Sequence, residues 1–164
     1  MHQALERIAT TLQPRVLNVT MYAGEVSLHV TPDQLYPTLK ELKEAYGFDY
    51  LADIGTVDHY TDELRFEVLY NLTNLTDRLR IRVKCRLEEH HPVVKSVVDL
   101  WPAAGWHERE AYDMMGIVFE GNPDFRRMFM PEDFEFFPHR KEFPLIGIPG
   151  SIQVPEKDPP KGYK

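Results

Sequence analysis

The residues best placed to do chemistry lie in one stretch, from Gly105 to Phe119. Glu108, Glu110 and Asp113 are carboxylates on what reads as a short helix, and Glu110 and Asp113 at i,i+3 could form an acid/base pair. Helical spacing of about 100° per residue puts Glu108 on a stripe with Ala111, Tyr112 and Met115. Arg109 and Asp113 share another face. A carboxylate buried on an apolar stripe needs a partner, because an unpaired buried charge costs several kcal/mol. Arg126 and Arg127 follow closely in the chain and offer the planar, bidentate geometry a carboxylate accepts. The alternative is a surface helix whose charges stay hydrated. Both readings stay open at this level.

Other chemistries find less support. His107-Glu108 opens an H-E-x-x-H pattern, but Ala111 stands where the second zinc ligand is needed. His90-His91 sit in a tight turn with no further Cys or His at ligand spacing. Gly24, Gly47 and Gly55 stand alone and form no phosphate-binding loop, and no Gly-x-Ser-x-Gly elbow is present. Cys85, the single cysteine, falls on an apolar strand face and reads as a small core residue. The expectation is a chain with no catalytic, cofactor-binding or metal site of its own.

Several elements must position the stretch. His2 to Leu12 reads as a helix ended by Pro14. Val16 to Tyr22 and Glu25 to Val30 read as a hairpin around Ala23-Gly24. Thr31-Pro32-Asp33-Gln34 combines an N-cap, a proline at the first helical position and a capping-box Gln. Leu35, Leu39, Leu42 and Tyr46 follow at helical spacing, and Gly47 closes that helix. Phe48 to Tyr60 and Leu64 to Leu72 read as strands, the first with Asp53 and Asp58 embedded, and Thr73 to Asp77 as a turn. Arg78 to Leu87 alternates most clearly, with Leu79, Ile81, Val83, Cys85 and Leu87 facing one way. Arg78, Arg80, Arg82, Lys84 and Arg86 face the other, as a solvated face paired with acids such as Glu67 or as a docking strip for an acidic partner. Val93 to about Leu100 is predicted as a helix opened by Pro92, and Gly105 to Met115 as another, with Gly116 just past its end. The fold class is α+β: a two-layer arrangement with a mixed sheet, helices packed on one face, and an extended proline-rich C-terminal arm. Residues 1–120 read as the α+β domain. Residues 121–164 read as loops and an arm, with Ile148, Ile152 and Val154 able to lie along a partner as a strap.

The chain has 164 residues, a formal charge of -7, 43% hydrophobic and 27% charged residues, as expected for one globular domain plus ends. The negative balance argues against nucleic acid. No apolar run approaches the ~20 residues of a membrane span. Met1 to Arg7 reads neither as a secretory signal nor as a transit peptide, which suits a prokaryotic or organelle-encoded protein.

One resemblance is specific. The run Glu108-Arg109-Glu110-x-Tyr112-Asp113-Met114-x-Gly116-Ile117-x-Phe119 continues as Asn122-Pro123-Asp124-x-Arg126-Arg127-Met128-x-Met130-Pro131-Glu132-Asp133. With Pro138-x-Arg140-Lys141-Glu142-Phe143-Pro144-Leu145 it resembles the 30-kDa (C) subunit family of respiratory complex I. Asn122, Phe134 and His139 depart from the family's usual His, Trp and Leu.

The resemblance implies a non-catalytic structural subunit of the hydrophilic arm of a proton-pumping NADH:quinone oxidoreductase. It implies docking on the 49-kDa-type (D) subunit beside neighbouring iron–sulfur subunits, in a hetero-oligomer. FMN, iron–sulfur clusters and the quinone site would belong to partners, with no cofactor in this chain. The place implied is the cytoplasmic face of the inner (cell) membrane, peripheral and held only through the complex. Glu108, Arg109, Glu110, Tyr112, Asp113, Gly116, Arg126, Arg127, Pro131, Arg140 and Lys141 are the expected signature residues, forming a charge network at a subunit interface. The alternatives are an equivalent subunit of a membrane-bound hydrogenase or photosynthetic NDH-type complex, or a free-standing acid/base enzyme using Glu108, Glu110 and Asp113.

Overall fold

A computed structural model describes residues 2–148. Helix α1 (His2–Leu12) buries Leu5, Ile8, Ala9 and Leu12, the stripe its spacing predicts. A tight turn at Gln13–Arg15 carries Pro14. Strands β1 (Asn18–Tyr22) and β2 (Glu25–Val30) form an antiparallel hairpin whose last pair is Tyr22 with Glu25. Ala23 and Gly24 connect them with φ of 49° and 82°. Two left-handed residues in succession match the right-handed twist of the strands they join. In α2 (Pro32–Tyr46), Pro32 opens the helix and Gly47, at φ 68°, closes it. The expected side-chain cap at Thr31 is not made. The Gln34 N–H instead donates to the Thr31 carbonyl at 3.1 Å.

Strands β3 (Tyr50–Asp58), β4 (Phe66–Asn74) and β5 (Leu79–Leu87) complete a five-stranded sheet in the order β1-β2-β5-β4-β3. Only β2 and β5 pair in parallel, so the sheet is mixed. The alternation of β5 is realised: Leu79, Ile81, Val83, Cys85 and Leu87 are buried, along with Phe66, Val68, Tyr70 and Leu72 of β4. Each such side chain contributes about 1.5–3 kcal/mol on burial. The helices cover this face, and among the described residues none lies on the other face of the sheet. Among the described residues no helix is long and apolar enough to cross a membrane.

The predicted helix from Val93 to Leu100 does not form. Val93–Lys95 is a strand, β6, and it pairs in parallel with β7 (Val118–Glu120) on the far side of helix α3 (Ala104–Met115). Two adjacent β-branched valines fit a strand better than a helix. Their partner lies beyond α3, so no local pattern announces it. The chain then turns at Val97, whose carbonyl accepts from the N–H groups of Leu100 and Trp101. Residues 121–148 contain no helix or strand and pack as loops against the end of α3 and the β3–β4 connection. Ile152 and Val154 of the expected strap lie outside the described residues.

Cys85 is fully buried, and burial, with Glu67 and Asp33 adding to it, pushes its thiol up to about 12. The thiolate is the reactive form, so the native chain should resist a thiol-specific reagent at about pH 8, with labelling at least ~100-fold slower than in denaturant. Labelling at equal rates would place Cys85 outside the core.

Candidate functional site

Helix α3 carries two carboxylates that are both sealed from water: Glu108 and Asp113 are each 0% exposed. Gly116 ends the helix at φ 79°, with its N–H on the Tyr112 carbonyl at 2.8 Å. A Cβ at that position would lie 2.6 Å from Arg140 Nη2 and 2.8 Å from the Phe137 ring. Glycine is required there twice over, for its conformation and for close approach.

Glu108 is buried as its stripe predicted, but the partners are not arginines. Its Oε2 accepts from Ser96 Oγ at 2.7 Å and Asn122 Nδ2 at 2.8 Å, and its Oε1 accepts from the Val97 N–H at 2.8 Å. One side chain thereby ties α3 to the segment after β6 and to the turn after β7. Burial raises the Glu108 pKa above the usual carboxylate range, while the three donors from Val97, Ser96 and Asn122 pull the other way without reversing it. Asn122, one of the departures from the family pattern, is a donor in this network.

Asp113 is held differently. Its Oδ2 accepts from three successive backbone N–H groups, those of Met128 at 3.0 Å, Phe129 at 2.6 Å and Met130 at 3.1 Å. Its Oδ1 pairs with Arg127 Nη1 at 2.9 Å. Burial pushes the Asp113 pKa up, but the N–H of Phe129, the Arg127 guanidinium and the N–H groups of Met130 and Met128 together bring it below the ordinary value. Arg127 is itself nearly enclosed. It also donates to the carbonyls of Asp113, Phe136 and Phe134 and lies over the Phe137 ring. This pair fixes residues 127–137 to the end of α3.

The other signature residues divide between inside and outside. Arg109 does not pair with Asp113. It donates to the carbonyls of Arg126 at 3.0 Å and Arg127 at 3.2 Å, and lies 3.4 Å from Asp124. Arg126 is exposed and forks onto Asp124, so it never reaches Glu108. Glu110 faces solvent, and the acid/base pair with sealed Asp113 is not formed. Tyr112 meets Phe125 and Phe137 edge-on, with centroids 5.5 and 6.3 Å away. Pro131 begins a turn in which its carbonyl accepts from the Phe134 N–H at 3.0 Å. Arg140 donates to the Met115 carbonyl at 2.8 Å and stacks between the rings of Phe66 and Phe137. Burial lowers its pKa. Lys141 acts through its backbone: its N–H donates to Asp58 Oδ2 at 2.8 Å, and its side chain is exposed.

That last contact belongs to a second anchor. Arg65, at the foot of β4, grips Asp58 at the end of β3 with two bonds of 2.8 Å. It also meets Glu89 at 2.6 Å and Glu142 from the signature loops. The Arg65 fork holds the Asp58 carboxyl well below the usual range, with the N–H groups of Lys141 and Tyr60 helping against burial. Sequence reading noted Asp58 but missed Arg65, Ser96 and the donor role of Asn122. The available signal was Arg65 itself, a cation next to the apolar alternation that starts β4. Among the described residues no cluster of three His, Cys, Asp or Glu side chains could hold a metal ion.

The sequence pattern of the family described as respiratory-chain NADH dehydrogenase, 30 Kd subunit, matches residues 28–148. The chain belongs to that family. It is 49% identical over 134 residues to a C-type subunit of the NADH-quinone oxidoreductase of Rhizobium meliloti, covering 80% of this chain and 73% of the relative. It is 40% identical over 143 residues to the corresponding C-type subunit of Roseiflexus sp., covering 86% and 82%. Among solved structures, a trypsin-resistant fragment of Nqo5 superposes with a TM-score of 0.69 at 33% identity, over 76% of this chain and 99% of the fragment. The resemblance first seen in the signature thus extends well upstream of it.

Two expected outcomes test the anchors of this 30-kDa family member. Asp113→Asn leaves Arg127 enclosed without its counter-ion and sets an amide among N–H donors. It should cost about 3–5 kcal/mol of unfolding free energy by denaturant titration. A loss below about 1 kcal/mol would mean the pair is not the anchor. For Glu108→Gln, either orientation of the new amide opposes one donor to another, at a cost of about 1–3 kcal/mol. The folded-state pKa of Glu108 is raised, so its protonated form favours folding, and that contribution fades as pH climbs through the folded pKa. The deficit of Glu108→Gln against the unmodified chain should therefore be larger at about pH 5 than at about pH 8. A deficit that widens with pH would reverse the sign.

Proposed function

We propose that this chain is a non-catalytic structural subunit of the hydrophilic arm of a proton-pumping NADH:quinone oxidoreductase, docked through its signature loops on the 49-kDa-type subunit. Electrons from NADH then pass through FMN and iron–sulfur clusters held by partner subunits to a quinone site that this chain braces. In that role it sits on the cytoplasmic face of the membrane, peripheral and held through the complex; no helix among the described residues is long and apolar enough to cross a membrane.

One observation carries this reading. The buried ionic groups of the signature are engaged inside the subunit, and the loops they hold still present large apolar side chains to water. Phe129 is 58% exposed, Phe136 41%, Ile146 93% and Leu145 108%, with Trp106 at 63% on the outer side of α3. A set of apolar anchors on loops fixed by buried bonds is the composition expected of an interface centre, with the ordering cost met during folding. The names of the relatives, subunits of NADH-quinone oxidoreductase, fit this role. An acid/base enzyme built on Glu108 and Asp113 does not, because neither carboxylate is accessible to a substrate.

The test is to replace Phe129 and Phe136 together by Ser and purify the complex from gently solubilised membranes. The isolated chain should stay folded, and assembled complex should fall roughly 30-fold or more, as for the loss of about 2 kcal/mol at a hot spot. Quinone-reductase activity should fall with the amount of complex, leaving activity per complex unchanged. Full assembly with activity lost would assign a catalytic role instead, and full assembly with full activity would remove these residues from the interface.

A further inference from the structure

The helix-free face of the sheet has no part in the anchors or the signature loops, and it is cationic along its middle. Alternate residues of β5 project onto it: Arg80, Arg82, Lys84 and Arg86. In register beside them lie Ser27 and His29 of β2, and Leu69, Asn71 and Thr73 of β4. Arg82 meets Glu25 at 3.2 Å and Arg86 meets Asp62 at 2.6 Å, but both acids are about half exposed. Glu67, opposite Arg86, sits 3.4 Å from His59. Among the described residues, no carboxylate lies within ion-pair distance of Arg80 or Lys84. The pKa of His29 is lowered, first by burial and then by Lys84.

This asymmetry is not a by-product of composition, since the chain has 19 basic against 26 acidic residues. Concavities flank both ends of the strip. One of about 400 Å³ is lined by Tyr50, Asn71, Thr73, Arg80 and Arg82. The other, of about 800 Å³, has Lys84, Arg86 and Lys95 in its walls together with Asp33, Glu88 and Glu120, so the excess of unpaired cations lies on the strip itself.

We propose that this face of the sheet seats a carboxylate-bearing surface of another protein subunit, with Arg80 and Lys84 as the cations left to receive it. The inference rests on the assembly reading above only in placing that subunit in the same complex, and it concerns a second surface, distinct from the apolar loops. Opposite potentials favour encounter and fix register, while like charges set face to face cost several kcal/mol. A second copy of this chain is the poorer occupant, because a two-fold contact would lay strip on strip. An anionic bilayer is poorer too: the net charge of -7 opposes it, and Arg82, Lys84 and Arg86 are half-buried in the face instead of standing out from it.

The test uses the unmodified complex, purified from gently solubilised membranes, with the free chain alongside. Lysine acetylation of Lys84, followed by mass spectrometry, should be roughly tenfold or more slower in the complex than in the free chain, the protection a seated charge gives. A zero-length carbodiimide should join Lys84 to an Asp or Glu of a different subunit. Arg80→Glu with Lys84→Glu should reduce recovered complex by roughly tenfold or more, and Lys84→Arg should not. If other subunits co-purify and Lys84 keeps its free reactivity without a cross-link, this proposal alone fails. A link only to another copy of this chain, or protection that appears only with anionic lipid vesicles, overturns it in favour of those occupants. If no other protein co-purifies, the assembly reading falls and this one with it.

Discussion

A single carboxylate, that of Asp113, sets the shape of the loops that carry the signature. It accepts three consecutive N–H groups and a guanidinium from residues 127–130. A stretch without helix or strand must still satisfy its backbone donors, and here an ionised side chain takes the place of a pairing strand. Arg127 completes the arrangement by donating to carbonyls farther along the same loop. Without the charge on Asp113, the three N–H donors would lose their shared acceptor, and the guanidinium would keep only the carbonyls of Asp113, Phe134 and Phe136. The cost would fall on the whole loop at once.

The same economy appears at Asp58 and Arg65, where the end of β3 and the foot of β4 hold the later part of the loops. In both anchors the arginine side chain is largely shielded from water, the carboxylate takes backbone as well as side-chain donors, and aromatic rings close the flanks. Glu108 is the variant without a cation: hydroxyl, amide and backbone donors suffice, and its pKa rises where the other two fall. Burial acts on all three carboxylates. Whether a full positive charge sits beside them decides the direction.

Much of this fold could be read along the chain because its decisive contacts are local or periodic. The alternation of Arg78 to Leu87, the paired left-handed residues Ala23 and Gly24, and the glycines that end α2 and α3 all carry their reason within a few residues. Val93 to Lys95 did not, because what makes it a strand is β7, reached only after α3 has been crossed. Partner choice was misread for a related reason. Arginine proximity in sequence suggested a match for Glu108, whereas Ser96, Val97 and Asn122 reach it from two separate segments. The signature's charges were recognised as a set, but which of them face water is a three-dimensional fact. Glu110 and Arg126 look outward, while Asp113, from the same motif, is buried with the Arg127 side chain turned in upon it.

The bond between the Lys141 N–H and Asp58 closes a span of 83 residues. Joining two points that far apart in an open chain costs about 4 kcal/mol in loop entropy before any contact offsets it. Hairpin β1–β2 and helix α2 can form early, since their contacts are near neighbours. The signature loops cannot, for their anchoring carboxylates stand on α3 and on β3, and both must already be docked. The loops therefore take their anchors from elements that must already be in place. A change at either anchoring carboxylate is thereby felt far along the chain, in loops that have no helix or strand of their own to hold them.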